Sequence, residues 1–218
     1  MLKSVARRLP AAARGCLQRA YYRRQLARGT FRSPEPEWDQ LGQWLSPGDA
    51  AIDVGANVGH YTARMSELVG PTGRIIALEP VAETFAVLAA NAQHFRFSNV
   101  TLLNLAASDE STCCRFSIPT WPDGTLNTYL AHVDPHGPIS CLAVRLDALE
   151  LPLPIRLAKI DAEGHEVRVL NGMRRLLQRD RPVVILERNA EAEALLVSLG
   201  YTCRIPVTPS PNVVALPA

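Results

Sequence analysis

The side chains best suited to chemistry fall in five short stretches of this 218-residue chain, each holding an acid beside small residues. The first carries Asp53, Gly55, Asn57, Gly59 and His60. The others are Glu79 before Pro80, Ala107 to Asp109, the run Asp161 to Glu166 (with Glu163, Gly164 and His165), and Glu187. A glycine turn lets a ligand come close to the backbone, and the free amides of a following helix attract negative groups. The dinucleotide fingerprint G-x-G-x-x-G needs glycine at 57 and 60, where Asn57 and His60 stand. A phosphate loop needs Gly-Lys-Ser/Thr, and none exists. What remains is a G-x-N-x-G turn behind an aspartate, with a second acid 26 residues later. An acid at the end of a second strand is placed to accept both hydroxyls of a ribose. Asp53 would face an amino-bearing part of the same ligand. A ligand with ribose, carboxylate and ammonium but no phosphate fits this set better than a nucleotide.

The elements that must position these residues alternate. Apolar runs at 50–54, 74–79, 100–106, 155–160 and 182–187 read as buried strands. A helical stretch follows Gly55 to about Val69, and another follows the second run at 81–95; 166–178 and the AEAEALLVSL run read as helices too. YTCRI and NVVAL close the chain as a hairpin around Pro209 and Pro211. This pattern predicts a mostly parallel α/β sheet with helices on both faces and one antiparallel member at its edge. In such sheets ligands bind outside the carboxyl ends of the strands, where the strand order reverses, and the five acidic stretches sit at those ends. The same residues also admit plain structural roles: Asp53 or Asp161 as a helix cap, Glu163 and Glu166 as first-turn acids favoured by the dipole, and Glu79 as the start of a proline turn.

Composition bounds the rest. With 47% hydrophobic and 20% charged residues and a mean hydropathy of +0.01, the chain is neither disordered nor built around a membrane span. The net charge of +2 hides an asymmetry. Residues 1–32 carry nine Lys or Arg and no acid, leaving 14 basic against 21 acidic residues, a body of −7. The five cysteines, Cys16, Cys113, Cys114, Cys141 and Cys203, suggest neither a disulfide framework nor a metal site, and point to a reducing, cytoplasmic setting. Cys113 and Cys114 would face opposite sides of a strand, as packing residues. The N-terminal arm reads as a basic amphipathic helix from about 11 to 28, with Leu2, Val5 and Leu9, then Leu17, Tyr21 and Leu26 roughly on one face. Arginines interrupt every apolar stretch, which disfavours a secretory signal. The arm suits packing on the body, an organellar presequence, a peripheral membrane contact or an acidic partner. Residues 1–36 form arm and linker, and 37–218 the main domain.

The ordered blocks DVGANVGHYT (53–62), ALEPVAETFAVLAAN (77–91), NLAASD (104–109), VRLDAL (144–149), KIDAEGHEVRVLNG (159–172), PVVILE (182–187) and NVVALP (212–217) resemble the FkbM family of S-adenosylmethionine-dependent methyltransferases. The resemblance covers about residues 45–217 and leaves the basic arm outside. It implies the class I methyltransferase fold, a Rossmann-like, mostly parallel sheet of seven strands whose last member is inserted antiparallel. It implies S-adenosyl-L-methionine as cofactor and O-methylation of a hydroxyl on a sugar, glycan or secondary metabolite, with no nucleic-acid partner. By the same resemblance Gly55, Asn57 and Gly59 would wrap the methionine part. Asp53 would hold its amino group directly or through water, and Glu79 the ribose. Asn104 to Asp109 would border the adenine through the Ala107 amide or the Asp109 side chain, and Asp161 would lie beside the sulfonium.

Methyl transfer is an in-line displacement, so positioning supplies much of the catalysis. A hydroxyl acceptor must lose its proton, and Asp161, Glu163, His165 and Glu187 are the candidate bases; His165 has the suitable ordinary pKa, near 6.5. The carboxylates could instead hold a divalent cation. His132, Asp134 and His136 lack a further ligand cluster, which leaves them as an exposed polar loop. Residues 110–150 read as an irregular lid or acceptor pocket in which Trp121 and Tyr129 stack on a sugar or pin the loop. The N-P-P-Y/F signature of amine and amide methylators is absent. A noncatalytic module that keeps the cofactor cleft and works through its basic arm is the alternative.

Overall fold

Side chains on a strand alternate between two faces, and that alternation divides the core of this protein. The computed structural model describes residues 11–120, 131–151, 153–205 and 210–218, with side chains from residue 15 onward. Its main sheet contains β1 (Ala50–Val54), β2 (Arg74–Leu78), β3 (Val100–Leu103), β8 (Ile155–Ile160), β9 (Val183–Glu187), β10 (Tyr201–Arg204) and β11 (Asn212–Pro217). The spatial order is β10-β11-β9-β8-β1-β2-β3. The five strands from β3 to β9 run parallel, and β11 pairs antiparallel with both β9 and β10. This is the expected class I sheet of seven strands with its antiparallel C-terminal hairpin; the Pro209 end of the turn lies outside the described residues, as do Leu2, Val5 and Leu9 of the arm.

One face of the sheet, with Ile52, Val54, Ala158, Ile160, Val184 and Leu186, packs against α5 (Glu166–Asn171), α6 (Arg174–Asp180) and α7 (Ala190–Ser198) through Leu170, Leu177 and Leu196. The other face, with Ala51, Ile75, Leu157 and Ile185, packs against α3 (His60–Val69) through Tyr61, Met65 and Val69, and against Leu41 and Leu45. Leu88 of α4 (Ala82–Ala92) covers Ala77 on that side. Among the described residues no helix is long and apolar enough to cross a membrane.

Three expectations about the body of the fold need correction, and a fourth concerns the arm. The third strand does not run to 106. The Asn104 side chain donates to the Glu79 and Pro80 carbonyls at 2.8 and 3.1 Å, the chain leaves the sheet, and Ala106–Ala107 (β4) pairs with β7 (Ile139–Val144) instead. The helix expected over 166–178 divides at Gly172 and Met173. A Cβ on Gly172 would stand 1.9 Å from the Ser108 carbonyl oxygen, so this close approach admits only glycine. Much of the stretch read as an irregular loop forms a second sheet, β4-β7-β5-β6, with β5 (Cys113–Ser117) and β6 (His132–Val133); Phe116, Ala106 and Ala143 are its small core. Trp121 and Tyr129 lie outside the described residues.

The basic arm forms α1 (Ala11–Ala27). Its inward face differs from the expected one. Tyr22 is buried and Leu26 partly so, against Phe31, Val58, Ala63 and Val87, while Leu17 and Tyr21 point outward. The strap that follows is packed as well. Trp38 of α2 (Pro36–Gln40) donates to the His60 carbonyl at 3.2 Å, with the Arg32 and Arg64 guanidiniums over its ring. Glu37 is fully buried and accepts from Ser210 Oγ and Asn212 Nδ2, tying strap to hairpin. Removing a buried charged acceptor strands its donors, at a cost of about 1–3 kcal/mol. Glu37→Ala should lower the thermal midpoint by roughly 2–12 °C at about 2–4 °C per kcal/mol, measured by calorimetry.

Candidate active site

The strand order reverses between β1 and β8, and a cavity of about 300 Å³ opens there at the carboxyl ends of the strands, within the range of small-ligand sites. Two turns make its floor. Gly55 follows β1 with φ +73°, and the Gly55 and Ala56 amides both donate to the Leu78 carbonyl at 2.9 Å. A Cβ on Gly55 would lie 1.9 Å from the Asp161 carbonyl oxygen, so the turn after β1 and the turn after β8 touch backbone to backbone. Asn57 takes φ +50°, and its Oδ1 is buried with no partner. Such an acceptor is costly unless a ligand satisfies it.

Glu79, buried at the end of β2, accepts from the Asn57 amide at 2.9 Å and from the Val81 amide at 2.9 Å. Burial, reinforced by the charges of Asp53 and Asp161, pushes its carboxyl up to about 7 despite those two bonds. Pro80, Val81 and the β4 segment from Leu105 to Ala107 form an apolar wall, continued by Phe116 and Val133 of the small sheet. Opposite stand Asp161, Glu163, His165 and Glu187, with Asn212 and Pro211 of the hairpin turn.

Of the residues anticipated for the cofactor, Gly55, Asn57, Glu79, Ala107 and Asp161 line this cavity, and Asp53, Gly59, Asn104 and Asp109 do not. Asp53 lies 1% exposed beneath α3, where Thr62 Oγ1 donates to it at 2.5 Å; burial raises its carboxyl to about 6. Gly59, φ +97°, packs on Leu88, which a Cβ would meet at 2.7 Å. Asn104 serves the backbone break, and Asp109 pairs with Arg168 at 3.1 Å and accepts from Ser108 Oγ. Burial works against the Asp109 charge, but the bonds from Ser108 and Arg168 outweigh it and hold the carboxyl below its usual range. Neither Asp53 nor Asp161 caps a helix; the residues at those N-termini are Gly59 and His165, with no side-chain cap.

All four anticipated bases converge on the cavity. Glu163, in a left-handed turn at φ +48°, is pushed up to about 7, chiefly by burial and then by the charges of Asp161, Glu187 and Glu166. Burial also raises Glu187, with Asp161 and Glu166 adding to it. His165 Nε2 lies 3.0 Å from Ser108 Oγ, and burial followed by the Arg168 charge lowers its pKa. Glu166 is turned away, buried, accepting from the Ala162 and Gly164 amides and from Asn189 Nδ2, so it shapes the turn that presents Glu163. Among the described residues no three His, Cys, Asp or Glu side chains come together as a metal set. In the small sheet, Asp134 accepts from Ser117 Oγ at 2.5 Å and from the His136 amide at 2.9 Å.

Two residues escaped the sequence reading. Lys159, 2% exposed on β8, reaches Asp161 Oδ2 at 3.1 Å and lies over the Tyr61 ring at 5.1 Å. Burial opposes its charge, yet Asp161, Glu35 and Asp53 outweigh that and hold its pKa above the usual value. A lysine inside the apolar run IRLAKI was the available signal. Glu35 of the strap lines the cavity with Oε2 enclosed and unpartnered, and an acid between two prolines gives little hint of that.

A family model described as the methyltransferase FkbM domain matches residues 53–201. The chain belongs to the FkbM methyltransferase family. Among curated relatives, it is 38% identical over 85 residues to the 31-O-demethyl-FK506 methyltransferase FkbM of Streptomyces tacrolimicus, covering 39% of this chain and 31% of that protein. It is 30% identical over 78 residues to the protein-L-isoaspartate O-methyltransferase of Methanothrix thermoacetophila, covering 34% of this chain and 37% of that one. The chain thus spans about a third of the length of these relatives. Solved structures share the fold. The methyltransferase FkbM of Methylobacillus flagellatus KT aligns with TM-score 0.54 at 16% identity, over 78% of this chain and 44% of that one. SMU.1697c of Streptococcus mutans, solved in complex with SAH, aligns with TM-score 0.50 at 15% identity, over 82% and 93%. The two turns touch at Gly55 and the Asp161 carbonyl, and alanine at Gly55 would strike the centre of that contact. Gly55→Ala should lose at least tenfold in affinity for S-adenosylhomocysteine by calorimetry and unfold at a lower temperature, since no side chain there is a flexible neighbour that could yield.

Proposed function

We propose that this FkbM-family chain is an S-adenosylmethionine-dependent O-methyltransferase whose acceptor is a hydroxyl on a sugar, glycan or other polar metabolite. The observation that carries the reading is Glu163, a cavity carboxylate raised to about 7 on the far side of the switch point from Glu79. A base with that pKa accepts a proton near neutral pH and is strong enough to assist a hydroxyl. Both curated relatives are named for methylation at oxygen, which supports an oxygen acceptor.

The half of the cavity built by β1, β2 and β4 suits the donor. Glu79, fixed by the Asn57 and Val81 amides, offers its remaining lone pairs to ribose hydroxyls. The unpartnered Asn57 Oδ1 and the Gly55 turn suit the methionine part, and the wall at Leu105 to Ala107 suits the adenine. Asp53 acts from behind, through Thr62 and the turn it supports. When bound, the donor supplies an electrophilic methyl on a sulfonium. The half built by β8, β9 and the β11 end suits the acceptor. There Glu163 would accept the proton of a bound hydroxyl while Lys159 holds Asp161 in place, and from the opposite wall Phe116 and Val133 would exclude water. The ring of carboxylates disfavours a phosphate backbone, which supports a metabolite acceptor over nucleic acid.

The direct test incubates the protein with isotopically labelled S-adenosylmethionine and metabolite or glycan extracts, and reads new labelled species by mass spectrometry; the absence of any labelled product would defeat the proposal. With an acceptor in hand, Glu163→Gln should lower kcat roughly 10²–10⁴-fold and leave S-adenosylhomocysteine affinity unchanged. In the native chain kcat should climb as pH rises through about 7, because the base must first lose its proton, and the variant should show no such climb. Glu79→Gln should instead weaken S-adenosylhomocysteine roughly 10–100-fold, the loss expected for hydrogen bonds to a charged acceptor.

A further inference from the structure

Among the described residues, no other element of the fold covers the outer face of α1 at Leu17 and Tyr21. Tyr22 and Leu26, one turn apart, hold the helix to the body. At 100° per residue, Leu17, Tyr21 and Arg24 lie within about 60° of one another, and that arc is centred about 150° from the inward pair. Leu17 is 49% and Tyr21 59% exposed, large apolar surfaces for a position facing water. Arg24 and, just past the helix, Arg28 are exposed beside them, and neither forms an ion pair among the described residues. The first 32 residues hold nine basic side chains and no acid, ahead of a body of −7.

A wholly solvated helix has no use for a leucine and a tyrosine at the centre of its outer face. A nucleic acid would engage the arginines and could stack a base on Tyr21, but it would leave Leu17 unmatched. An anionic bilayer surface satisfies both kinds of group at once: cations meet the headgroup phosphates, while leucine and tyrosine enter the boundary between headgroups and acyl chains. We propose that α1 docks this protein on anionic lipid, with Leu17 and Tyr21 inserted and Arg24 and Arg28 on the headgroups. The helix is anchored to the body by its opposite side, so docking needs no unfolding.

The test is flotation of the full chain with vesicles of phosphatidylcholine and phosphatidylglycerol at 7:3, against vesicles of phosphatidylcholine alone. Binding to the anionic vesicles alone is expected, weakening at least tenfold between 50 and 500 mM salt. Replacing Arg24 and Arg28 by glutamine should weaken it roughly 25-fold, about fivefold per arginine. Leu17→Ser with Tyr21→Ser should weaken it at least tenfold while the unfolding midpoint stays that of the native chain, since both residues are exposed. Equal binding to neutral vesicles, no binding to anionic ones, or undiminished binding by both variants would overturn the proposal; retention on an acidic peptide or an RNA without vesicle binding would overturn it equally. Vesicle binding by a chain that takes up no S-adenosylhomocysteine would leave this inference standing and remove only the reading of the cavity.

Discussion

A lysine ammonium held almost wholly out of water is an expensive object, and Lys159 stands at the point where the two halves of the sheet meet. Its charge is tolerated because Asp161 pairs with it at 3.1 Å while Glu35 and Asp53 surround it, and the Tyr61 ring lies against it. The arrangement works in both directions. The carboxylates keep the lysine charged, and the lysine lets several acids crowd one cavity without their mutual repulsion opening it. Asp53 and Lys159 are register partners on adjacent parallel strands, so β1 and β8 cannot slip against each other without separating these charges.

Around this centre the molecule divides its work by topology. The turns after β1 and β2 meet through Glu79, whose two oxygens each take one backbone amide, which makes one wall rigid. Across the switch point the wall is composite. It draws on the turn after β8, the end of β9, the hairpin at Pro211 and Asn212, and a strap that precedes the residues matched by the family model. The rigid wall uses main-chain geometry and the composite one uses side chains from distant parts of the chain.

That division explains what the residues disclosed in advance. The seven strands, their order of direction and the closing hairpin follow from apolar runs whose length and spacing leave few alternatives, and the convergence of Asp161, Glu163, His165 and Glu187 follows from their position at strand ends. What the pattern missed was decided by single side chains acting across the fold. Asn104 splits the third strand by bonding to two carbonyls of another turn, and the expected helix divides at Met173, beside a glycine pressed against Ser108. The inward face of α1 was misread because Leu17 and Tyr21 are as apolar as the Tyr22 and Leu26 that are used instead. Asp53 looks like a ligand contact from its place after a strand, and the α3 threonine that claims it lies nine residues on, beyond any local pattern.

Glu37 and Ser210 meet across 173 residues of chain. At a synthesis rate of roughly 5–20 residues per second, Glu37 leaves the ribosome some 10–35 s before its partners exist. Throughout that interval a nascent chain can hold the strap through Trp38 and His60 but has nothing to satisfy the Glu37 carboxylate. The contact between strap and hairpin turn, on the composite side of the cavity, is therefore the last to close.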